Sequence, residues 1–230
     1  MFLKIGHRGA SAFEIENTLS SFGRAIEVGA NAIEMDVRES RDGKLVILHD
    51  DNLKRVFKKD IRVNAAALDQ LKQLTGNKIP TLEEALRSIG RKVEKILVEL
   101  KEVGCEERIL ETIRNERLNE RAIVMSFHEQ ALANIRKSDG KIDTGLIYSR
   151  HRNPIDAALR LNADYLVSFY KYTQTKHIVD AHKEGLQVIV WTINTEKEVK
   201  DYIAKGVDGI ASDRPDIFRK VSRDSSVESS

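Results

Sequence analysis

Eight short apolar runs of β type, separated by amphipathic helical stretches, constrain the fold of this chain more than any other feature. The runs are Phe2–Ile5, Ala32–Val37, Ile96–Leu100, Ala122–Ser126, Thr144–Tyr148, Tyr165–Ser168, Gln187–Thr192 and Val207–Ala211. From the third onward they start a little over twenty residues apart, room for one strand, one helix and two loops. Helical spacing fills the gaps. Leu19, Phe22, Ala25 and Ile26 make one apolar stripe within Thr18–Val28, and Gly29 stops it. Thr81-Leu82-Glu83-Glu84 reads as a capping box that opens a helix running to Ile89. Glu106–Arg117, Glu129–Ser138, Pro154–Leu161, Thr175–Glu184 and Glu196–Lys205 complete the set. Strand–helix alternation predicts an α/β fold, a parallel sheet with helices outside. Eight units predict closure into a (β/α)8 TIM barrel, with an open doubly wound sheet as the alternative.

The rhythm breaks in two places. A ninth β-like run, Leu45–Leu48, is joined to the second strand through Arg41-Asp42-Gly43-Lys44, and Asp-Gly between two β runs signals a hairpin. Residues 51–80 then form an insertion expected to cap one end of the barrel. The barrel is expected to be a single catalytic domain over 1–219, with 220–230 a polar, disordered tail.

Composition narrows the function by exclusion. The 38 basic and 36 acidic residues of this 230-residue chain give a net charge of +2, which offers no electrostatic case for nucleic acid or an anionic membrane. No run of about 18 apolar residues occurs, so no spanning helix or stable membrane anchoring is expected. Cys105 is the one cysteine, which excludes an intramolecular disulfide and a multi-cysteine metal site. A strand at residue 2 leaves no room for a signal peptide, and a cytoplasmic location is the expectation.

The chemistry gathers at strand ends. Glu34 and Asp36 stand two apart on the second strand, so they share one face while Ile33, Met35 and Val37 take the other. If the carboxylates face inward they repel unless a cation or proton intervenes; an exposed acidic strand edge is the bland alternative. Glu99 and Lys101 repeat the spacing on the next strand. Three carboxylates without a thiol suit a hard divalent cation, Mg²⁺ or Ca²⁺, with Mn²⁺ also tolerable. Lys101 is placed either to meet a phosphate oxygen or merely to pair with the carboxylates. His7 and Arg8 lie between Gly6 and Gly9 at the end of the first strand, where glycines permit a sharp turn. Arg8 carries a fork of donors that matches phosphate. With the hairpin turn centred on Asp42-Gly43, position 49 falls opposite position 36, which brings His49 beside Asp36. Two histidines flanking a metal could give and take protons in phosphodiester cleavage. Trp191 is either an apolar wall of the pocket or a packing residue. Asp208, Asp213 and Arg214 are expected near the mouth, and His128, His151, His177 and His182 on the surface.

These residues resemble a known family. His7-Arg8-Gly9-Ala10-Ser11 with Glu16-Asn17-Thr18, Ile33–Val37, Asp42–Asp50, Ile79–Glu84, Glu99-Leu100-Lys101, Ser126-Phe127, Val190–Asn194, Asp208-Gly209-Ile210 and Ser212–Pro215 resemble, in order, the motifs of glycerophosphodiester phosphodiesterases. The resemblance implies a barrel related to phosphatidylinositol-specific phospholipases C. It implies a divalent metal at Glu34, Asp36 and Glu99, acid–base histidines at His7 and His49, and phosphate contacts from Arg8 and Lys101. Ile15 stands where the family usually has Pro. The insertion carries Lys54, Arg55, Lys58, Lys59 and Arg62, which either read an anionic head group or form a solvated loop.

Three functional readings follow. The first is hydrolysis of a small-molecule glycerophosphodiester to glycerol phosphate and an alcohol. The second keeps the site but takes lysolipids, as a lysophospholipase D, and needs an apolar groove beside the pocket. The third is a non-catalytic phosphate-binding barrel, whose sequence mark would be a lost histidine or carboxylate; none is lost.

Overall fold

In the computed structural model, which describes residues 1–221, alternate residues of each strand feed two separate apolar layers. The chain runs β1 (Leu3–Gly6), α1 (Leu19–Glu27), β2 (Ala32–Glu39), β3 (Leu45–Ile47), α2 (Lys54–Phe57), α3 (Leu68–Leu74), α4 (Leu82–Ile89) and β4 (Lys95–Leu100). It continues through α5 (Glu106–Asn115), β5 (Ala122–Ser126), α6 (Glu129–Ser138), β6 (Asp143–Tyr148), α7 (Pro154–Arg160), β7 (Tyr165–Phe169), α8 (Thr175–Lys183), β8 (Gln187–Trp191), α9 (Glu196–Lys205) and β9 (Gly209–Ser212). Neighbouring barrel strands are parallel, and β1 pairs with both β2 and β9, so the sheet closes and the open-sheet alternative falls. The fold is the expected (β/α)8 barrel. The expected tail falls mostly on 222–230, outside the described residues.

Outward-facing Ile33, Met35 and Val37 pack with Phe22 and Ala25 of α1 and Leu82 and Ala85 of α4. Inward-facing Ile5, Leu97, Ile123, Ile147 and Ile189 fill the barrel. Phe22 is fully buried, and its truncation to Ala costs about 3–5 kcal/mol. The helices begin where the sequence places caps. Thr18 accepts from the Ser21 amide to open α1, and Thr81 and Glu84 exchange both bonds of a capping box before α4. No helix among the described residues is long and apolar enough to cross a membrane.

Strand β2 outruns its neighbour. β1 stops at the Gly6–Ile33 pair, and antiparallel β3 covers the exposed upper edge of β2 from Val37 to Glu39. The hairpin register differs from the sequence expectation by one residue. Val37 faces Ile47, and the Leu48 amide donates to the Asp36 carbonyl at 3.0 Å, so Leu48 occupies the place expected of His49. The cause is the turn. Ser40 and Lys44 close a three-residue loop in which Gly43 has φ +75°, a loop one residue longer than a two-residue turn. The inserted segment then folds over its own small core, where Val46, Leu48, Leu53, Val63, Leu71 and Ile79 meet.

Candidate active site

The C-terminal ends of the strands form the mouth of the barrel, where loops are free to carry side chains of chemical use. Asp36 on β2 and Glu99 on β4 are register partners, and Glu34 lies one inward position below. Carboxylate oxygens of Glu34, Asp36 and Glu99 all lie within 4.8 Å of one another. All three side chains are buried, so the exposed acidic edge is excluded.

Three buried carboxylates together are costly without positive charge. Burial, then the charges of Asp36 and Glu99, push Glu34 well above the ordinary carboxylate range. Burial and the charge of Asp36 push Glu99 up to about 7. Burial works against Asp36 too, but Lys101, Arg8, His49 and the Asn17 amide together hold it down. Lys101 Nζ lies 2.5 Å from Glu99 Oε1 and 3.5 Å from Asp36 Oδ1, so pairing with carboxylates is what its amine does here. Even so, Glu34 Oε1 and Asp36 Oδ1 are buried and accept no hydrogen bond. Buried carboxyl oxygens without hydrogen bonds, in an all-oxygen set, are what a hard cation requires.

The glycines flanking His7 and Arg8 have a structural reason. A Cβ on Gly6 would come within 2.8 Å of Ala25 Cβ, and one on Gly9 (φ +82°) within 2.6 Å of the Ser21 backbone. Arg8 adopts a left-handed backbone at φ +55°, which sends its amide to Glu34 Oε2 at 2.7 Å. Its guanidinium lies 3.3 Å from Asp36 Oδ2 and 3.0 Å from Glu16 Oε1.

Each histidine is held at Nδ1 by an aspartate. His7 Nδ1 lies 2.7 Å from Asp213 Oδ1, and His49 Nδ1 lies 2.7 Å from Asp50 Oδ1. Burial would raise Asp213, but hydrogen bonds from His7, Asn194 and Ser11 hold it down at about 2. Burial likewise opposes Asp50, yet Arg55 and His49 hold it at about 2. Ionised aspartates only accept, so Nδ1 of each ring presents its hydrogen to the aspartate and Nε2 is the nitrogen left free. Burial, then the charges of Arg8 and Lys101, lower the pKa of His49 against the pull of Asp36 and Asp50. His49 lies beyond the last paired residue of β3, which lets its ring reach the mouth despite the shifted register.

The mouth is a cavity of about 120 Å³ lined by His7, Arg8, Glu34, His49, Glu99 and Lys101 on one side and by apolar side chains on the other. Trp191 belongs to that apolar wall. Its indole N–H donates to the Val167 carbonyl at 3.1 Å, and its ring packs against Phe127 and Phe169. Larger clefts exist, one of about 470 Å³ beside Tyr148–Asp156, but it holds no buried carboxylate.

Sequence reading missed several supports. Asn17, buried at φ +59°, donates to Asp36 Oδ2 at 2.7 Å; its only local signal is Glu-Asn-Thr before the α1 cap. Asp213 was placed near the mouth without a role, and Asp50 had only its place beside His49. Asp208 is corrected outright. It precedes β9 and so lies at the opposite end of the barrel, where it accepts from the Val188 amide at 2.7 Å and pairs with His182 at 2.8 Å. His128, His151, His177 and His182 are exposed as expected. Cys105 is buried, its thiol pushed up to about 12 by burial and neighbouring glutamates.

A closed parallel barrel with buried acids and anchored histidines at its C-terminal mouth defines an enzyme of the (β/α)8 class. The chain belongs to the glycerophosphoryl diester phosphodiesterase family, whose model matches residues 7–217. It is 33% identical to a glycerophosphodiester phosphodiesterase of Caldanaerobacter subterraneus, covering 93% of this chain and 95% of the relative. The Thermotoga maritima glycerophosphodiester phosphodiesterase structure superposes with a TM-score of 0.85 at 30% identity, over 96% of this chain and 99% of that one. An Oleispira antarctica phosphodiesterase, solved with its product sn-glycerol-3-phosphate, gives a TM-score of 0.87 at 27% identity, over 95% and 96% of the two chains.

Proposed function

We propose that this enzyme hydrolyses glycerophosphodiesters to glycerol phosphate and an alcohol, using His7 and His49 as proton carriers beside a divalent metal. The observation that carries the reading is the cluster of Glu34, Asp36 and Glu99, two of whose oxygens accept no hydrogen bond, flanked by two histidines with free Nε2 atoms. Glu34, Asp36 and Glu99 would hold Mg²⁺, Ca²⁺ or Mn²⁺. When bound, the metal supplies Lewis-acid neutralisation of charge on the phosphoryl oxygens.

The chain's own residues do the rest. Arg8 and Lys101 present positive charge to the phosphate, Lys101 once its carboxylate partners are engaged elsewhere. Nε2 of His49, whose pKa is lowered, is suited to accept the proton of the attacking water. Nε2 of His7, its ring oriented by Asp213, is suited to protonate the leaving oxygen. Trp191 and the apolar wall shelter the carbon skeleton and exclude water.

The deciding experiment is release of glycerol phosphate from glycerophosphocholine and glycerophosphoethanolamine, with EDTA and with Mg²⁺, Mn²⁺ or Ca²⁺ added back. Metal-restored release supports the reading. Binding without turnover under every metal would instead mark a non-catalytic barrel.

A second reading, hydrolysis of lysolipids by the same site, draws on the aromatic run Phe127–Trp191–Phe169–Tyr172, with centroid spacings of 5.8, 5.3 and 5.6 Å, which leads from the wall of the mouth to the neighbouring cleft that Tyr172 lines. Such a wall suits an apolar chain. Competition between glycerophosphocholine and a lysolipid separates the two, since preference for the lysolipid would replace the first substrate class.

A further inference from the structure

The basic insertion was expected either to read a head group or to be solvated; the contacts of Arg55 point elsewhere. Arg55 Nε lies 2.7 Å from Asp50 Oδ2 and Nη2 lies 3.2 Å from Asp50 Oδ1. The same guanidinium reaches Glu16 Oε2 with Nη1 and Glu16 Oε1 with Nη2, each at 2.6 Å. Asp50 in turn holds His49 at 2.7 Å, and Glu16 holds Arg8 at 3.0 Å. The result is an unbroken chain of ion pairs and hydrogen bonds, Arg8–Glu16–Arg55–Asp50–His49.

We propose that Arg55 is a positioning residue that fixes His49 and Arg8 together from outside the barrel, and so couples the seating of the inserted segment to the geometry of the mouth. The proposal rests on the roles given above to His49 and Arg8.

Three physical points support it. Exposed single ion pairs contribute little, but this one is doubly bidentate, and its two acids are mostly buried, with side chains 14% exposed at Glu16 and 21% at Asp50. Without Arg55, Glu16 and Asp50 would lose the charge between them, and Asp50 could swing with His49. The backbone around Arg55 is itself anchored, because Leu53 is buried in the insertion core and Phe57 packs against it. Lysine cannot substitute, since one ammonium cannot form two planar forks at once.

The test compares wild type with Arg55→Ala and Arg55→Lys in the intact, metal-supplemented enzyme. Turnover, melting temperature and the ¹⁵N signature of the His49 tautomer are read for each. The expected result is a fall in kcat of about 10- to 100-fold in Arg55→Ala, the scale of a small misplacement of a reacting group, with little recovery in Arg55→Lys. His49 should pass from one Nδ1–H tautomer to a mixture, and the loss should be non-additive with that of Asp50→Asn. Should Arg55→Ala fail to fold, Arg55→Lys carries the comparison alone. An unchanged kcat and tautomer, or full rescue by lysine, would overturn the proposal. A wild type that turns over nothing would sink the hydrolase reading alone, and the His49 tautomer in wild type and variant would still decide the strap.

Discussion

His7 and Asp213 lie 206 residues apart in sequence, yet Nδ1 of one is 2.7 Å from Oδ1 of the other. The pairing exists because β1 and β9 are neighbours in the closed barrel, with Gly6 in register with Ser212. It fixes which ring nitrogen of His7 faces the mouth, so it bears directly on the proton transfer proposed for that ring.

Replacing that aspartate separates orientation from packing. Asp213→Asn keeps the shape but can turn an amide N–H toward Nδ1, which favours the wrong tautomer. We expect kcat to fall by about 100-fold or more, the range general acid–base groups contribute, with melting temperature lowered by only the few degrees that loss of the ionised carboxylate costs. Steady-state kinetics beside a thermal melt checks it, and an unchanged kcat would remove Asp213 from the mechanism.

The same carboxylate makes a pH prediction. The folded pKa of Asp213 is about 2 against an ordinary 3.8, as is that of Asp50. A depressed acid binds fewer protons folded than unfolded, so its stabilisation is fully present above about pH 4 and is lost as pH falls toward about 2. Denaturant midpoints taken from pH 6 to 2 should drop in that window. The drop should be shallower in Asp213→Asn, and an identical slope would show that His7 does not hold the carboxylate down.

Metal binding should be linked to protons too, and in the same direction. Glu34 and Glu99 are held up by burial and by the charge of Asp36, Glu99 to about 7, so a cation must displace protons from them. Affinity should therefore strengthen as pH rises from 6 to 8. At a metal concentration 100 times Kd the fold gains about 2.7 kcal/mol, visible as a higher melting temperature. Calorimetry in two buffers of different ionisation enthalpy reads the released protons directly, and zero release would contradict the assignment of these ligands.

Glu34→Gln sharpens the point. Its carbonyl oxygen can still accept from the Arg8 amide, while the cost of holding a buried carboxyl above its ordinary pKa disappears. Above pH 7 the metal-free variant should melt higher than metal-free wild type and should lose both the metal-induced stabilisation and turnover. A lower melting temperature would mean that the Glu34 charge is compensated after all.

Asn17 offers a test of support beneath the carboxylates. Asn17→Ala removes a buried donor to Asp36 and leaves a Cβ residue at φ +59° with no side-chain compensation. A hydrogen bond to a charged group is worth about 1.5–3 kcal/mol, and a destabilisation of that size is expected in chemical denaturation. A loss below about 0.5 kcal/mol would show that Lys101 and Arg8 alone hold Asp36.

The sequence by itself set the strand–helix alternation, the shared face of Glu34 and Asp36 and the strand-end place of His7, because each follows from a local pattern, while closure of the barrel and the inward direction of the carboxylates stayed open. A period of two puts Glu34 and Asp36 on one face, and a helical stripe such as Leu19–Ile26 must lie against a sheet. Only the tertiary structure decided the partners. Closure of β1 on β9 delivers Asp213 to His7, and the exact start of β9 sends Asp208 to the far end. A three-residue turn slips the hairpin by one residue, and the folded insertion brings Arg55 to Asp50 and Glu16. Each depends on which distant backbones become neighbours and on loop lengths within one residue, and a one-residue change reverses a strand's faces while leaving its local pattern intact.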